Sequence, residues 1–469
     1  MKLVYASILL SLALPILAQS GCSTLPATIN ASNSKLNSPF VFLNGIQVVT
    51  KADFACRQQE ISALFQRYEL GTLPPKPQTV TGSYSGNTLT ITVGNGGSTI
   101  SFSVTISGNS GSSPVPAIIA LGGSSVPSQS GVATITYNNN DIADQQGRSS
   151  RGRGKFYTLY GSSHSAGALI AWTWGISRIL DALSTTTGHN IDVNRIGVTG
   201  CSRNGKGTYV ATAFEPRIAL GIVQESGSGG AGCWRISDAM LRAGTNTQTA
   251  SQIVDENVWF SPNFNQYVNS VNNLPFDHHL LAALVAPRGL LIIENTSIDW
   301  LGPQSAWGCQ TTGAAAYEAL GVTDRMGITQ QGNHDHCVLP SAQGPDVAAF
   351  VNRFLKGQSA NTNIVKTDGR NNVGFVKSNW VDWSIPALSE GGGGSSSTLG
   401  PITSISSSTS VTSIIDPRTS TTPTTTASPP TQTKYVEDKA GMGLRFASLD
   451  LLAHLSTTGT ANACSLHKS

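Results

Sequence analysis

Arg195 to Gly207, RIGVTGCSRNGKG, is the stretch that decides the fold. Arg195 to Thr199 is a short apolar run closed by Gly200, and from Arg203 to Ala213 the pattern turns helical. A buried strand that passes through a tight turn into a helix, with Ser202 on the turn, is the setting of a nucleophile elbow. Small residues beside the turn let strand and helix approach, and the hydroxyl then stands clear of the sheet. Backbone N–H groups at the helix start face the place where an oxyanion forms. The usual spacing is Gly-x-Ser-x-Gly; here it runs Gly200-Cys201-Ser202-Arg203-Asn204-Gly205, with the second glycine one place late. The same spacing also suits a Ser202 that only caps a helix.

The surrounding sequence supplies the rest of an α/β fold. Residues 88–107 predict two strands around a glycine turn. Pro116 to Leu121, Ala219 to Gln224 and Gly289 to Glu294 are solid apolar runs, and Met326 to Thr329 is a weaker one. His164 to Leu183 has helical spacing, with Leu169, Trp172, Ile176, Ile179 and Leu180 on one side, and a closing helix is expected over Val347 to Leu355. Solid apolar strands alternating with helices imply a mostly parallel sheet covered on both faces, a three-layer αβα sandwich of the α/β-hydrolase type.

In that fold the partners of Ser202 follow in the order acid, then histidine. His164 and His189 precede the serine, and His278 and His279 lie in an apolar, structural segment. That leaves His334 and His336, in Gly332-Asn333-His334-Asp335-His336-Cys337. A bridge between Cys201 and Cys337 would tie the elbow to this loop and favour His336. For the acid, Glu225 at the end of one strand and Asp299 after the next compete evenly.

At GCSRNGKG the match becomes specific. The chain resembles the fungal glucuronoyl esterases, family fifteen of the carbohydrate esterases, over about residues 20–385. The resemblance rests on Arg203 and Lys206 after the serine, on the segment IVQESGSGGAGCWR (222–235), on GNHDHC (332–337) and on the six cysteines before residue 389. It implies Ser202 as nucleophile, His336 as base, Glu225 as acid and Arg203 as oxyanion donor. It implies sugar contacts from Lys206, Gln248, Glu256 and Trp300, and the bridges Cys22–Cys56, Cys201–Cys337 and Cys233–Cys309. The implied reaction is hydrolysis of esters between 4-O-methyl-D-glucuronic acid of glucuronoxylan and lignin alcohols, without metal or organic cofactor. Two other readings stay open: a secreted esterase of acetyl-xylan or feruloyl type, and a non-catalytic wall-binding protein on a Ser/Thr stalk.

Composition sets the compartment. Of 469 residues only 12% are charged, with a net charge of +3, about half the usual charged share. That balance excludes a strongly basic nucleic-acid binder and an acidic disordered chain. Residues 1–18 read as a secretory signal, and no later stretch reaches the ~18 apolar residues of a spanning helix. The expectation is a secreted monomer that binds neither nucleic acid nor membrane, with structural disulfides in place of ion pairs. Sequons stand at Asn30 and Asn295, and Arg148, Arg151, Arg153 and Lys155 form a small basic run. Residues 389–433, rich in Ser, Thr, Pro and Gly, read as an O-glycosylated linker. The tail 434–469 opens like a small cellulose-binding module but lacks its Cys-Gly-Gly core and aromatic face, as though the reading frame or an intron boundary changes near codon 435. It is expected to be disordered, with Cys464 unpaired.

Overall fold

The apolar runs of the sequence become the inner strands of one ten-stranded sheet. The structure is a computed structural model that describes Cys22, residues 24–369 and residues 374–390. The signal segment, most of the linker and the tail lie outside these residues.

The strands are β1 (Thr79–Ser85), β2 (Thr88–Asn95), β3 (Ser98–Ser107), β4 (Val115–Leu121), β5 (Ala133–Tyr137), β6 (Ile191–Cys201), β7 (Ile218–Gln224), β8 (Gly289–Glu294), β9 (Met326–Gln330) and β10 (Val365–Thr367). Their order across the sheet is β1-β2-β3-β5-β4-β6-β7-β8-β9-β10. β1, β2, β3 and β5 pair antiparallel, and every pairing from β5 to β10 is parallel. The two kinds of sheet show in the side chains. β3 alternates buried and exposed residues, with Ile100, Phe102, Val104 and Ile106 inward. β8 is buried throughout. Its successive residues feed opposite layers: Leu290 and Ile292 join the larger core, while Leu291 and Ile293 pack with Val347, Phe350 and Val351 of the helix Gly344–Phe354. This is the predicted three-layer arrangement.

Three differences from the sequence reading have physical causes. β1 is rich in Thr and Ser, β5 alternates Thr with apolar residues, and β10 has three residues, so none carries an apolar run. The helix Ala168–Thr185 is buried from Ala168 to Leu183 on all sides, not along one stripe. Tyr137 of β5 donates its hydroxyl to Trp172 O at 3.2 Å on one side, and the helix Arg203–Phe214 packs on another, where a Cβ on Gly207 would lie 2.8 Å from the Trp172 ring. Ser389, the first residue assigned to the linker, still exchanges backbone hydrogen bonds with the domain: its N–H donates to Val49 O at 3.1 Å and its carbonyl accepts from Lys51 N at 2.9 Å.

The low charge density does not mean that ion pairs are missing. Arg57–Glu60, Arg178–Asp181 and Arg235–Asp277 are all buried pairs. They stand beside the three disulfides instead of being replaced by them. The basic run is largely engaged: Arg148 meets Asp255 at 3.2 Å, Lys155 meets Asp141 at 2.6 Å, and Arg151 donates to Phe260 O at 2.7 Å.

The late glycine of the elbow is placed by packing. A Cβ on Gly205 would lie 2.5 Å from Gln224 O of β7, and one on Gly200 would lie 2.7 Å from Asn204 O. Helix and sheet therefore touch at Gly205, and Asn204 turns instead towards Gly122 and accepts from Asn139 Nδ2 at 3.0 Å. Gly205→Ala is expected to cost about 2 kcal/mol of stability by overpacking against backbone. Gly344→Ala, with open space around its Cβ position, is the control. Urea unfolding of the two variants measures the difference.

Candidate active site

The ends of β6, β7 and β9 converge on one edge of the sheet. Ser202 follows β6 with φ 61° and ψ −128°. This left-handed region is costly for a residue with a Cβ, by about 1–3 kcal/mol. It is held there from both sides: Ser202 N donates to Gln224 O and Lys206 N donates to Ser202 O, each at 3.0 Å. Glu225 follows β7, also with positive φ (44°), and its N–H donates to Ile293 O at 2.7 Å. The loop after β9 brings His336 to it.

The Glu225 carboxylate is fully buried. Its Oε2 accepts from His336 Nδ1 at 2.8 Å and from Cys337 N at 2.9 Å, and its Oε1 accepts from Gln224 Nε2 at 3.2 Å. With Nδ1–H donated to the carboxylate, Nε2 is the basic nitrogen of a neutral imidazole. That Nε2 is buried and has no hydrogen-bond partner among the described residues. Of the two candidate acids, Glu225 is the one that meets His336; Asp299 is exposed on the 3-10 turn Asp299–Leu301. His334 sits beside the pair, 3.9 Å from Glu225 Oε1, its ring facing Gln331 O and Asp335 O.

The Cys201–Cys337 disulfide joins the residue before Ser202 to the residue after His336. Cys201, His336 and Cys337 lie close enough together to suggest a metal site, but both sulfurs are committed to the bridge. The other two bridges are Cys22–Cys56 and Cys233–Cys309.

Around this centre lies a polar rim. Trp300 is 37% exposed and stands edge-on to the His336 ring, with centroids 4.9 Å apart. Gln248 N donates to Trp300 O at 3.2 Å, and Gln248 Nε2 donates to Glu256 Oε2 at 3.0 Å. Lys206 is buried below, its Nζ donating to Ser226 O and standing 5.5 Å from the centre of the Trp259 ring. Burial pushes this ammonium down to about 8, against the pull of Glu294 and Glu256. Arg203 is exposed at the first helical position after Ser202, with no ion pair among the described residues. The two sequons separate. Asn30 is exposed. Asn295 is fully buried and its Nδ2 donates to His334 O at 3.1 Å, so the expected glycan there is corrected: the amide is occupied and has no room for a sugar.

A fungal glucuronyl esterase family model matches residues 91–321. A 4-O-methyl-glucuronoyl methylesterase of Hypocrea jecorina is 58% identical over 370 residues, covering 78% of this chain and 79% of that protein. The chain belongs to the fungal glucuronoyl esterases. The catalytic domain of the Hypocrea jecorina esterase superposes with a TM-score of 0.75 at 57% identity, covering 78% of this chain and all of that one. An alanine variant of the Sporotrichum thermophile glucuronoyl esterase, in complex with methyl 4-O-methyl-β-D-glucopyranuronate, superposes with a TM-score of 0.75 at 47% identity, covering 78% of this chain and 99% of that one.

Two residues of this esterase's site escaped the sequence reading. Trp259 carries no pattern that points to Lys206. Glu294 does carry a signal, since it is a charged residue closing an otherwise wholly apolar strand, GLLIIE.

Below the esterase site, His278 anchors the loop that follows Glu225. Its Nε2 faces Glu69 Oε1 at 2.8 Å and its Nδ1 faces Gly230 O at 2.9 Å. Two acceptors require two donors, hence an imidazolium. Burial alone would lower its pKa, but Glu69 and Asp277 outweigh burial and raise it above the usual value of 6.5. A raised folded-state value means that this contribution is complete below about pH 6.5 and is lost as pH rises through the folded pKa. The thermal midpoint is expected to fall from pH 6 to pH 8 in the native protein. The fall should be smaller in His278→Gln, which cannot titrate; equal slopes would exclude the imidazolium.

Proposed function

We propose that this glucuronoyl esterase is a serine hydrolase acting outside the cell on esters of 4-O-methyl-D-glucuronic acid in glucuronoxylan, the natural alcohols being those of lignin. The observation that carries the reading is the orientation of His336. Its Nδ1 is fixed on a buried carboxylate while its Nε2 is buried with no partner among the described residues, next to the Cys201–Cys337 bridge that adjoins Ser202.

In this reading Ser202 Oγ attacks the C6 carbonyl carbon and its proton passes to His336 Nε2. Glu225 stays ionised, holds the ring and stabilises the imidazolium. The tetrahedral oxyanion is met by the Arg203 N–H at the helix start and by the Arg203 guanidinium, a charge-assisted donor. When the intermediate collapses, the C6–alkoxy bond breaks and His336 returns the proton to the departing alcohol. Water then attacks the acyl-enzyme with His336 again as base, releasing the free uronic acid. Lys206, Gln248, Glu256 and Trp300 hold the sugar through donors, acceptors and an apolar face. The signal segment 1–18 delivers the chain, and residues 389–433 tether whatever the tail supplies.

The test uses a benzyl ester of glucuronic acid. Ser202→Ala is expected to lower kcat by about 10⁴-fold or more. Glu225→Gln is expected to lose about 10⁴-fold, because an amide cannot hold the imidazole in its working tautomer. Asp299→Asn should keep kcat, and acetylated xylan should not be cleaved. Hydrolysis that survives Ser202→Ala, or a loss in Asp299→Asn equal to that in Glu225→Gln, overturns the assignment.

A further inference from the structure

A second carboxyl lies directly behind the first. Glu294 closes β8 next to β7 and is buried to 1% exposure. Its Oε1 accepts from Ser226 N at 2.9 Å, from Ser226 Oγ at 3.1 Å and from Gly227 N at 3.3 Å. Those three donors belong to the turn that immediately follows Glu225. The same turn is closed by Ala231 N donating to Ser226 Oγ at 2.8 Å and by Lys206 Nζ donating to Ser226 O. Glu225 enters this turn with a positive φ of 44°.

We propose that Glu294 is a positioning residue: it holds the 225–227 turn, and through it aims the Glu225 carboxylate at His336. The inference rests on the Ser202–His336–Glu225 reading. Three donors on Oε1 are an anchor that a smaller or apolar residue cannot supply. Oε2, by contrast, is buried with no hydrogen-bond partner among the described residues. Burial and the adjacent Glu225 charge disfavour ionisation, while the donors on Oε1 and the Lys206 ammonium favour it; the neutral acid, protonated on Oε2, is the working form of this side chain. Burial pushes it up to about 8, the neighbouring Glu225 adding to the rise and the turn's donors opposing it. The ionisable groups that act on it are Glu225 after β7 and Lys206 from the helix after β6; Gln330, its partner on β9, is neutral. Neutrality has a purpose in this place. The turn must be held by an acceptor without a second negative charge competing with Glu225 for the imidazolium.

Replacement separates the two properties. Glu294→Gln keeps a carbonyl oxygen for the three donors and cannot ionise. Glu294→Leu removes the acceptor and leaves three buried donors unmet. On the benzyl glucuronate ester, Glu294→Leu is expected to lower kcat by about 100-fold, as misplaced catalytic groups do, with KM changed by less than about threefold. Glu294→Gln is expected to stay within about tenfold of the native kcat, and its alkaline decline should be shallower than that of the native enzyme, in which both Glu294 and Lys206 titrate at about 8. Equal kcat losses in the two variants, a loss confined to KM, or an unchanged alkaline limb in Glu294→Gln overturns the proposal. Should Glu294→Leu not fold, the alkaline limb of Glu294→Gln decides alone. Glu225→Gln run alongside keeps the failures apart. If it remains active, the acid assignment falls; if it is inactive while Glu294 behaves as an ordinary buried residue, only this inference falls.

Discussion

The site depends on one carboxylate oxygen. Oε2 of Glu225 takes the His336 Nδ1–H and the Cys337 N–H together, at 2.8 and 2.9 Å. The first of these fixes the imidazole ring, and the second fixes the backbone that carries it. Because the carboxylate is fully buried, both bonds act in a medium of low effective dielectric, where they are stronger than in water and where their loss is costly. The Cys201–Cys337 bridge closes the triangle covalently, so that β6, β7 and the loop after β9 cannot separate one at a time. Three strand ends are thereby held in one geometry that no single element supplies.

That arrangement explains which parts of the site could be read from the chain. The elbow is a local object: a strand, a strained turn and a helix in thirteen consecutive residues. Its sequence therefore carries it, even with the glycine displaced to Gly205. The acid is not local. Whether Glu225 or Asp299 meets the histidine depends on how far β7 and β8 extend and on how the loop after β9 folds back, and neither is encoded near the carboxylates. The residues alone left the two equal; the resemblance favoured Glu225, and the 2.8 Å bond to His336 agrees with it. Asn295 shows the opposite failure. The Asn-Thr-Ser pattern is local and correct as a pattern, but its amide is consumed inside the site by His334. β1, β5 and β10 were missed because none carries an apolar run: β1 and β5 alternate Thr or Ser with apolar residues, and β10 has three residues.

The scarcity of charge takes on a different meaning once the structure is seen. A chain with few charged residues would be expected to keep them at the surface, where burial costs nothing. Here several are spent inside, close to the loop that bears Glu225. Arg235 donates to Asn33 O, Phe276 O, Leu274 O and Asp277. Asp277 in turn accepts from the backbone of Trp234, Arg235 and His278. Apart from the bond between the neighbours His278 and Asp277, these bonds join segments far apart in sequence.

Such a network adds little net stability, because desolvating two ions costs about as much as their attraction returns. What it does add is an all-or-none quality. Removing one partner strands the other in the interior at about 3–5 kcal/mol, so partial versions of the loop are penalised far more than the complete one. The same logic applies at the Glu225 carboxylate and, one layer behind it, to the Oε1 of Glu294. The donors to Glu225 come from separate elements, and those to Glu294 come from the turn that follows Glu225. Alternative conformations of the loop would leave more of these buried donors and acceptors unpaired, and the aim of Glu225 at His336 follows from that constraint as well as from the bond between them.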